Sequence, residues 1–213
     1  MIQTLILAFP LLLFSIVLHE YCHAYAAYLC GDQTAKQQGR LTMNPVAHID
    51  LVGSILFPIL LVITQAGFLI GWPKPVPINP YNFRNYKKHH IIVSLAGVSA
   101  NLALAILLTV LMALYARIFS PAQNSAVLLM LKYGIQINVI LAVFNLLPIP
   151  PLDGSWVLYH LLPADLAAAY QRLFPYGFVI LIILLLTNTL QTIIMPLNRA
   201  ILMFLSTLFS FFN

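Results

Sequence analysis

The sequence has 213 residues, of which 62% are hydrophobic and only 7% are charged. Soluble domains carry about a quarter charged residues, so this composition excludes an ordinary soluble fold and predicts a protein solvated by lipid. The chain has ten Lys and Arg against five Asp and Glu, an excess too small to indicate nucleic-acid binding. The positions of these cations indicate the orientation of the protein in a membrane instead.

Apolar runs predict an all-α polytopic membrane protein, a single helical bundle over residues 1–213 with about five spans. A run of 18 or more apolar residues is long enough to cross a bilayer as a helix. The predicted spans are Leu5–Leu29, Ile91–Ala116, Ala126–Leu147, Tyr176–Met195 and, as a short crossing or an interfacial helix, Leu197–Phe212. We expect the fourth span to break at Pro196 because proline cannot continue a helix ladder.

The segment between the first two long spans is harder to interpret. Residues 51–70 are apolar but interrupted by glycine and proline, which favours a re-entrant segment over a full crossing. Gly39–Met43 has the pattern of a strand or the edge of a short β-hairpin. Residues 71–88 combine prolines with Lys and Arg and predict a loop.

A re-entrant 51–70 places most of the cations on one face, which the positive-inside rule assigns to the cytosol. That face would hold Lys36, Arg40, Lys74, Arg84, Lys87, Lys88 and Arg172, and leave Arg117, Lys132 and Arg199 opposite. We therefore expect an integral multi-pass protein of a prokaryotic cell membrane, with loops 30–90 and 148–175 in the cytosol.

The first span contains His19-Glu20-Tyr21-Cys22-His23, and Glu20 is the only glutamate in the chain. Ionisable groups at membrane depth are costly and indicate a functional site. On a helix, His19 and His23 lie on one face and can bind the same metal ion, while Glu20 can take a proton from an activated water. This pattern predicts a metal-dependent hydrolase inside the membrane.

Catalytic zinc usually has three protein ligands, so another residue must complete the site. Asp153 is the best candidate among four aspartates, because it follows a span directly in Asn145-Leu-Leu-Pro-Ile-Pro-Pro-Leu-Asp153-Gly154. Taken alone, an Asp-Gly turn is a common loop feature. Together with the histidine motif it indicates the missing ligand.

These motifs, with Gly97-x-x-x-Asn101 between them, resemble the site-2 proteases, the intramembrane zinc metalloproteases of the peptidase M50 type. The resemblance covers residues 19–154 in family order. It implies that His19, His23 and Asp153 bind one Zn²⁺ ion and that Glu20 is the catalytic base. It also implies a transmembrane protein as the substrate, cleaved within or near its membrane segment. The sequence departs from the family at Val98, where proline is common, and no PDZ-like domain is expected.

Other polar residues are weaker candidates. Asn145, Asn101 and Pro148 are candidates for contacts with the substrate backbone, although Asn145 can equally cap its own helix and Asn101 can join two helices. His48 is a candidate for a group that supports or inhibits the site, or for an interface residue. The alternatives to a protease are a membrane metal-ion transporter and an inactive relative that only binds membrane segments. Neither the substrate nor the oligomeric state follows from the sequence.

Overall fold

The computed structural model describes residues 2–64, 71–119 and 125–212, and its regular structure there is helical throughout. Three helices dominate and form the centre of the bundle: α1, α4 and α5. The α-helices are α1 (Ile2–Leu29), α2 (Thr34–Gln37), α3 (Phe57–Ile63), α4 (Tyr86–Phe119), α5 (Ala126–Asn145), α6 (Asp153–Leu161), α7 (Ala164–Gln171), α8 (Gly177–Leu186) and α9 (Thr189–Phe212).

The bundle core has an apolar half and a polar centre. Side chains of α4, α5 and α9 form one apolar cluster around Val139 and Leu205. Between α1, α4 and α5 lie Ser15, Asn101 and Asn138, all at most 1% exposed. Asn138 donates to Ser15 Oγ at 2.8 Å and Asn101 donates to Asn138 Oδ1 at 2.9 Å. Such interhelical hydrogen bonds fix which faces of the three helices meet.

Four helical stretches in the described chain are long and apolar enough to cross a membrane: Tyr86–Phe119, Ala126–Asn145, Ala164–Leu186 and Thr189–Thr207. Helix α1 has 28 residues and continues through Pro10, so its length of about 42 Å exceeds the ~30 Å hydrocarbon core. The predicted class, an all-α polytopic membrane protein, is confirmed.

Two local predictions are wrong. Residues 39–43 form no strand or hairpin; they run through a turn, and the Arg40 side chain, rather than a backbone ladder, makes the contacts to the next loop. The helix break predicted at Pro196 lies at Thr187 and Asn188, and α9 continues through Pro196. Asn188 ends the turn because it adopts φ 57°, a left-handed conformation that asparagine tolerates.

The start of the segment predicted to be re-entrant lies beside Trp72, which follows that segment in the chain. A single turn of π-helix, Leu51–Leu56, leads into α3, and the chain returns at residue 72. Trp72 N–H donates to Gly53 O at 3.2 Å, and Ser54 Oγ donates to Trp72 O at 2.9 Å. Gly53 and Trp72 are therefore neighbours in the structure, although they are 19 positions apart in the chain. Residues 65–70 lie outside the described residues.

Candidate metal centre

Three side chains from distant parts of the sequence meet at one point near the centre of the bundle. His19 and His23 extend from α1, and Asp153 is the first residue of α6. His19 Nε2 lies 3.0 Å from His23 Nε2, and Asp153 Oδ2 lies 3.2 Å from each of them. In a tetrahedral zinc site, bonds of about 2.0 Å place ligand atoms about 3.3 Å apart. The triangle in the structure therefore has the size of one face of such a site.

The other nitrogen of each imidazole is bound to an acceptor. His19 Nδ1 lies 2.7 Å from Asn101 Oδ1, and His23 Nδ1 lies 2.7 Å from Val93 O. A carbonyl oxygen only accepts, so each Nδ1 carries the proton and each Nε2 directs a lone pair inward. Asp153 Oδ2 is buried and has no hydrogen-bond partner among the residues that the structure describes. Three converging lone pairs repel one another unless a cation lies between them, so the residues present fit a metal ion.

Helix α4 approaches α1 closely enough for these contacts only because residue 97 is glycine. A Cβ atom at Gly97 would lie 2.4 Å from His23 Nε2 and 2.5 Å from His19 Cε1. Four residues later, on the same face of α4, Asn101 reaches His19. The Gly97-x-x-x-Asn101 motif thus makes room for one part of the centre and orients another.

A turn of prolines brings Asp153 to the histidines. Helix α5 ends at Asn145, and the chain folds back on itself before α6 begins. A Cβ atom at Gly154 would lie 2.1 Å from Leu146 O, so a larger residue would push the start of α6 away. Glycine behind the aspartate is therefore required by close packing.

Glu20 lies beside the histidines in a cavity of about 540 Å³. Its side chain is 9% exposed, and its Oε2 accepts a hydrogen bond of 3.0 Å from Val76 N–H. His19, His23, Asp153 and Asn145 line the same cavity. A carboxylate next to a metal and open to a cavity can exchange a proton with a water molecule there.

Val76 belongs to an extended stretch, residues 72–79, that we call the cover segment because it lies over Glu20. Two loop residues that are buried hold it, Arg40 near its middle and Asp32 at its end. Asp32 Oδ2 accepts from Asn79 N–H at 2.7 Å, and Asp32 Oδ1 accepts from Asn82 Nδ2 at 2.8 Å. Burial alone would raise the pKa of Asp32, but hydrogen bonds from Thr34, Asn82 and Asn79 outweigh it and hold that pKa below its ordinary value of 3.8.

The weaker candidates from the sequence lie in different places. Asn145 lines the cavity but also donates to Leu141 O, one turn back on its own helix. Asn101 is completely buried and its amide is used by His19, Ser15 and Asn138, which agrees with the helix-joining role among its two alternatives.

Pro148 and His48 both lie outside the lining of the cavity. Pro148 O accepts from the Tyr170 hydroxyl. His48 is buried at the base of the cover segment, where its ring contacts Thr42 O and its carbonyl accepts from Lys74 N–H. This position agrees with the interface role among the two alternatives for His48.

Sequence reasoning missed Arg40, Val76 and Val93. Val93 and Val76 act through the backbone, which no side-chain pattern reveals. The sequence places Arg40 among the cations of the cytosolic face and does not indicate that it is buried, with 8% exposed. The alternation of proline in Pro73-Lys74-Pro75-Val76-Pro77 was the one available signal, because it favours an extended chain.

Comparison with known proteins agrees with this centre. The model of peptidase family M50 matches residues 112–187, a range that contains Asp153 but not the two histidines. YwhC of Bacillus subtilis (strain 168), a proposed zinc metalloprotease, is 38% identical over 192 residues, which are 89% of this chain and 84% of YwhC. The chain belongs to peptidase family M50.

Two further M50 relatives are the Rip2 proteins of mycobacteria, also proposed zinc metalloproteases. Rip2 of Mycolicibacterium smegmatis is 34% identical over 179 residues, which cover 84% of this chain and 66% of that protein. Rip2 of Mycobacterium tuberculosis (strain H37Rv) is 30% identical over the same length. No solved structure gives a significant match. Membership of M50 confirms the predicted resemblance to the site-2 proteases, a metalloprotease activity and Zn²⁺ as the cofactor.

Proposed function

We propose that this M50 protein is an intramembrane endopeptidase that hydrolyses a peptide bond within or near the transmembrane segment of a membrane protein. His19, His23 and Asp153 hold the zinc ion and Glu20 is the general base. The observation that carries the proposal is the convergence of three metal-ligand atoms and the sole glutamate on one cavity. A metal transporter would need polar ligands at several depths of the bilayer rather than at one.

When bound, the zinc ion polarises the scissile carbonyl and allows water to lose a proton near neutral pH. Glu20 accepts that proton and returns it to the leaving amine. Asn101 and Val93 O keep the His19 and His23 rings in the tautomer that leaves Nε2 unprotonated. The Val76 amide holds one carboxylate oxygen of Glu20 in place, so that the other faces the cavity.

The experiment compares wild-type protein with Glu20→Gln and Asp153→Asn, each co-expressed with a single-span membrane substrate. Glu20→Gln is expected to abolish cleavage and retain zinc, because Glu20 is not a ligand. Asp153→Asn is expected to lose both zinc and cleavage. Asp165→Asn is the matched control, since Asp165 is an exposed acid on α7. Cleavage by Glu20→Gln would contradict the proposal. Transport of zinc into vesicles that contain the protein, without cleavage, would favour a transporter.

We also propose that residues 51–70 enter the bilayer and return, so that the cavity opens toward the cytosol. The pairing of Trp72 with Gly53 supports this topology, because a full crossing would separate these residues by the thickness of the membrane. A reporter fused near Asn82 is then expected in the cytosol. A reporter found outside the cell would contradict the topology and leave the proposed chemistry untouched.

A further inference from the structure

The cover segment can donate backbone hydrogen bonds at only a few positions. Residues 73, 75 and 77 are prolines and have no N–H group. Of the remaining amides, Lys74 N–H donates to His48 O at 2.9 Å and Val76 N–H donates to Glu20 Oε2 at 3.0 Å. Because proline on both sides also restricts the backbone of Val76, this amide is held in one orientation. The contact with Glu20 is therefore fixed by the chain itself.

Arg40 reaches the same segment from the opposite side. Its side chain is buried, yet no Asp or Glu lies within ion-pair distance of it in the described parts of the chain. Its Nη2 donates to Lys74 O at 2.8 Å and to Pro75 O at 3.3 Å. Burying a cation without an anion costs free energy. The buried position of Arg40 therefore indicates a specific role for its side chain.

The second, more distant acceptor of Arg40 and the donor to Glu20 belong to one peptide group. Pro75 O and Val76 N–H are the two ends of the same planar unit. A positive guanidinium, a peptide dipole and a negative carboxylate thus follow one another, and each hydrogen bond in such a chain strengthens the next. Arg40 and Glu20 are coupled electrostatically through that single peptide without touching.

We infer that Arg40 is a positioning residue for Glu20 and acts through the Pro75–Val76 peptide. The inference rests on the proposed function, in which Glu20 is the general base. A direct Arg–Glu ion pair would occupy both carboxylate oxygens, whereas the bridging peptide occupies Oε2 alone. Arginine suits this role because its planar Nη2 group donates to two neighbouring carbonyls, and lysine offers a single point charge.

The first test replaces each end of the bridge and measures kcat, KM and bound zinc on purified protein with the same single-span substrate. Arg40→Gln is expected to lower kcat roughly 10- to 100-fold, with little change in KM or zinc content. Arg40→Lys is expected to recover part of that loss. Lys36→Gln is the control for a lost cation in the same loop, because Lys36 lies on the surface and contacts Tyr28. Equal kcat in Arg40→Gln and wild type would overturn the inference, as would loss of zinc from Arg40→Gln.

The second test removes the bridging amide. Val76→Pro deletes that N–H, and Val76→Ala is the matched control that keeps it while giving up the buried side chain. Val76→Pro is expected to reduce kcat about as much as Arg40→Gln. The double variant is expected to be no worse than Val76→Pro, because Arg40 has no path to Glu20 once the amide is absent.

Losses that multiply in the double variant would show that Arg40 stabilises the fold independently, and would overturn the inference. Its failure is distinguishable from failure of the proposed function. If Glu20→Gln abolishes cleavage while Arg40→Gln behaves like Lys36→Gln, only the coupling is wrong. If Glu20→Gln still cleaves, the proposed function fails first.

Discussion

The candidate metal ligands and the cover segment face each other across one cavity, but they are held in different ways. His19 and His23 lie on a long helix, and their rings are oriented by α4 through Asn101 and the Val93 carbonyl. Residues 72–79 have no regular structure and are held by buried charged side chains, Arg40 and Asp32. The metal side is thus organised by helix packing and the cover side by electrostatic anchoring. The two sides should therefore respond differently to mutation and to pH.

The largest effect is expected from the metal side, at Gly97. In Gly97→Ala the new methyl would overlap the imidazoles of His19 and His23, so α4 and α1 must separate. We expect zinc affinity to fall about 100-fold or more, at the upper end of the range seen when supporting residues are removed, and no measurable cleavage. Metal analysis of the purified protein measures the first and substrate cleavage the second.

Gly134→Ala is the matched control for the same change elsewhere in the bundle. Its methyl would meet the end of the Leu108 side chain at 2.8 Å, and a flexible side-chain end can move aside. We expect Gly134→Ala to keep its zinc. Wild-type zinc content in Gly97→Ala would show that the close approach of α4 is not needed for the metal centre.

A smaller effect is expected from Asn101→Leu, which removes the partner of His19 Nδ1 without adding bulk at the metal. The imidazole then loses its orienting acceptor, and zinc affinity should fall roughly 10- to 100-fold. Competition with a chelator measures that affinity. Thr109→Val on the same helix is the control, because the Thr109 hydroxyl bonds only to its own backbone, at Ala105 O. Equal affinities in the two variants would contradict a role for Asn101 in the centre.

The metal side was largely predictable from the sequence and the cover side was not. His19, Glu20 and His23 form a local motif with helical spacing, and Asp153 follows a span that ends in prolines. In both cases the signal lies in side chains whose chemistry is unusual at membrane depth. The cover side depends on which backbone amide meets which carboxylate, and on a buried arginine that looks like any other loop cation. Both features depend on tertiary contacts, and no periodic pattern in the sequence predicts them.

The two errors in the fold have a similar origin. Pro196 removes one backbone hydrogen bond, but packing of α9 against α4 and α5 keeps the helix intact there. The helix break lies instead at Asn188, a single residue in the left-handed conformation. Residues 39–43 alternate like a strand, yet they lack a partner strand within the described chain. In both places the local propensity was correctly identified and tertiary structure overrode it.

The smallest expected effect lies on the cover side, at Asp32, and it is recognisable by its pH dependence. Asp32→Asn keeps the shape but removes the charge that the Asn79 and Asn82 donors stabilise, so we expect it to cost about 2 kcal/mol at neutral pH. The pKa of Asp32 is lower in the folded protein than its ordinary 3.8, so the ionised form favours folding. The stability it contributes is complete above about pH 5 and is lost as the pH falls below about 4.

Thermal unfolding of wild type and Asp32→Asn over this pH range tests the prediction, because their difference cancels the contribution of the metal ligands. The gap in melting temperature should be constant from pH 7 to pH 5 and close at lower pH. Asp165→Asn, an exposed acid, should show no gap at any pH. A gap at Asp32 that persists unchanged below pH 4 would mean that shape, and not charge, anchors the cover segment. The contrast drawn between the two sides of the cavity would then be lost.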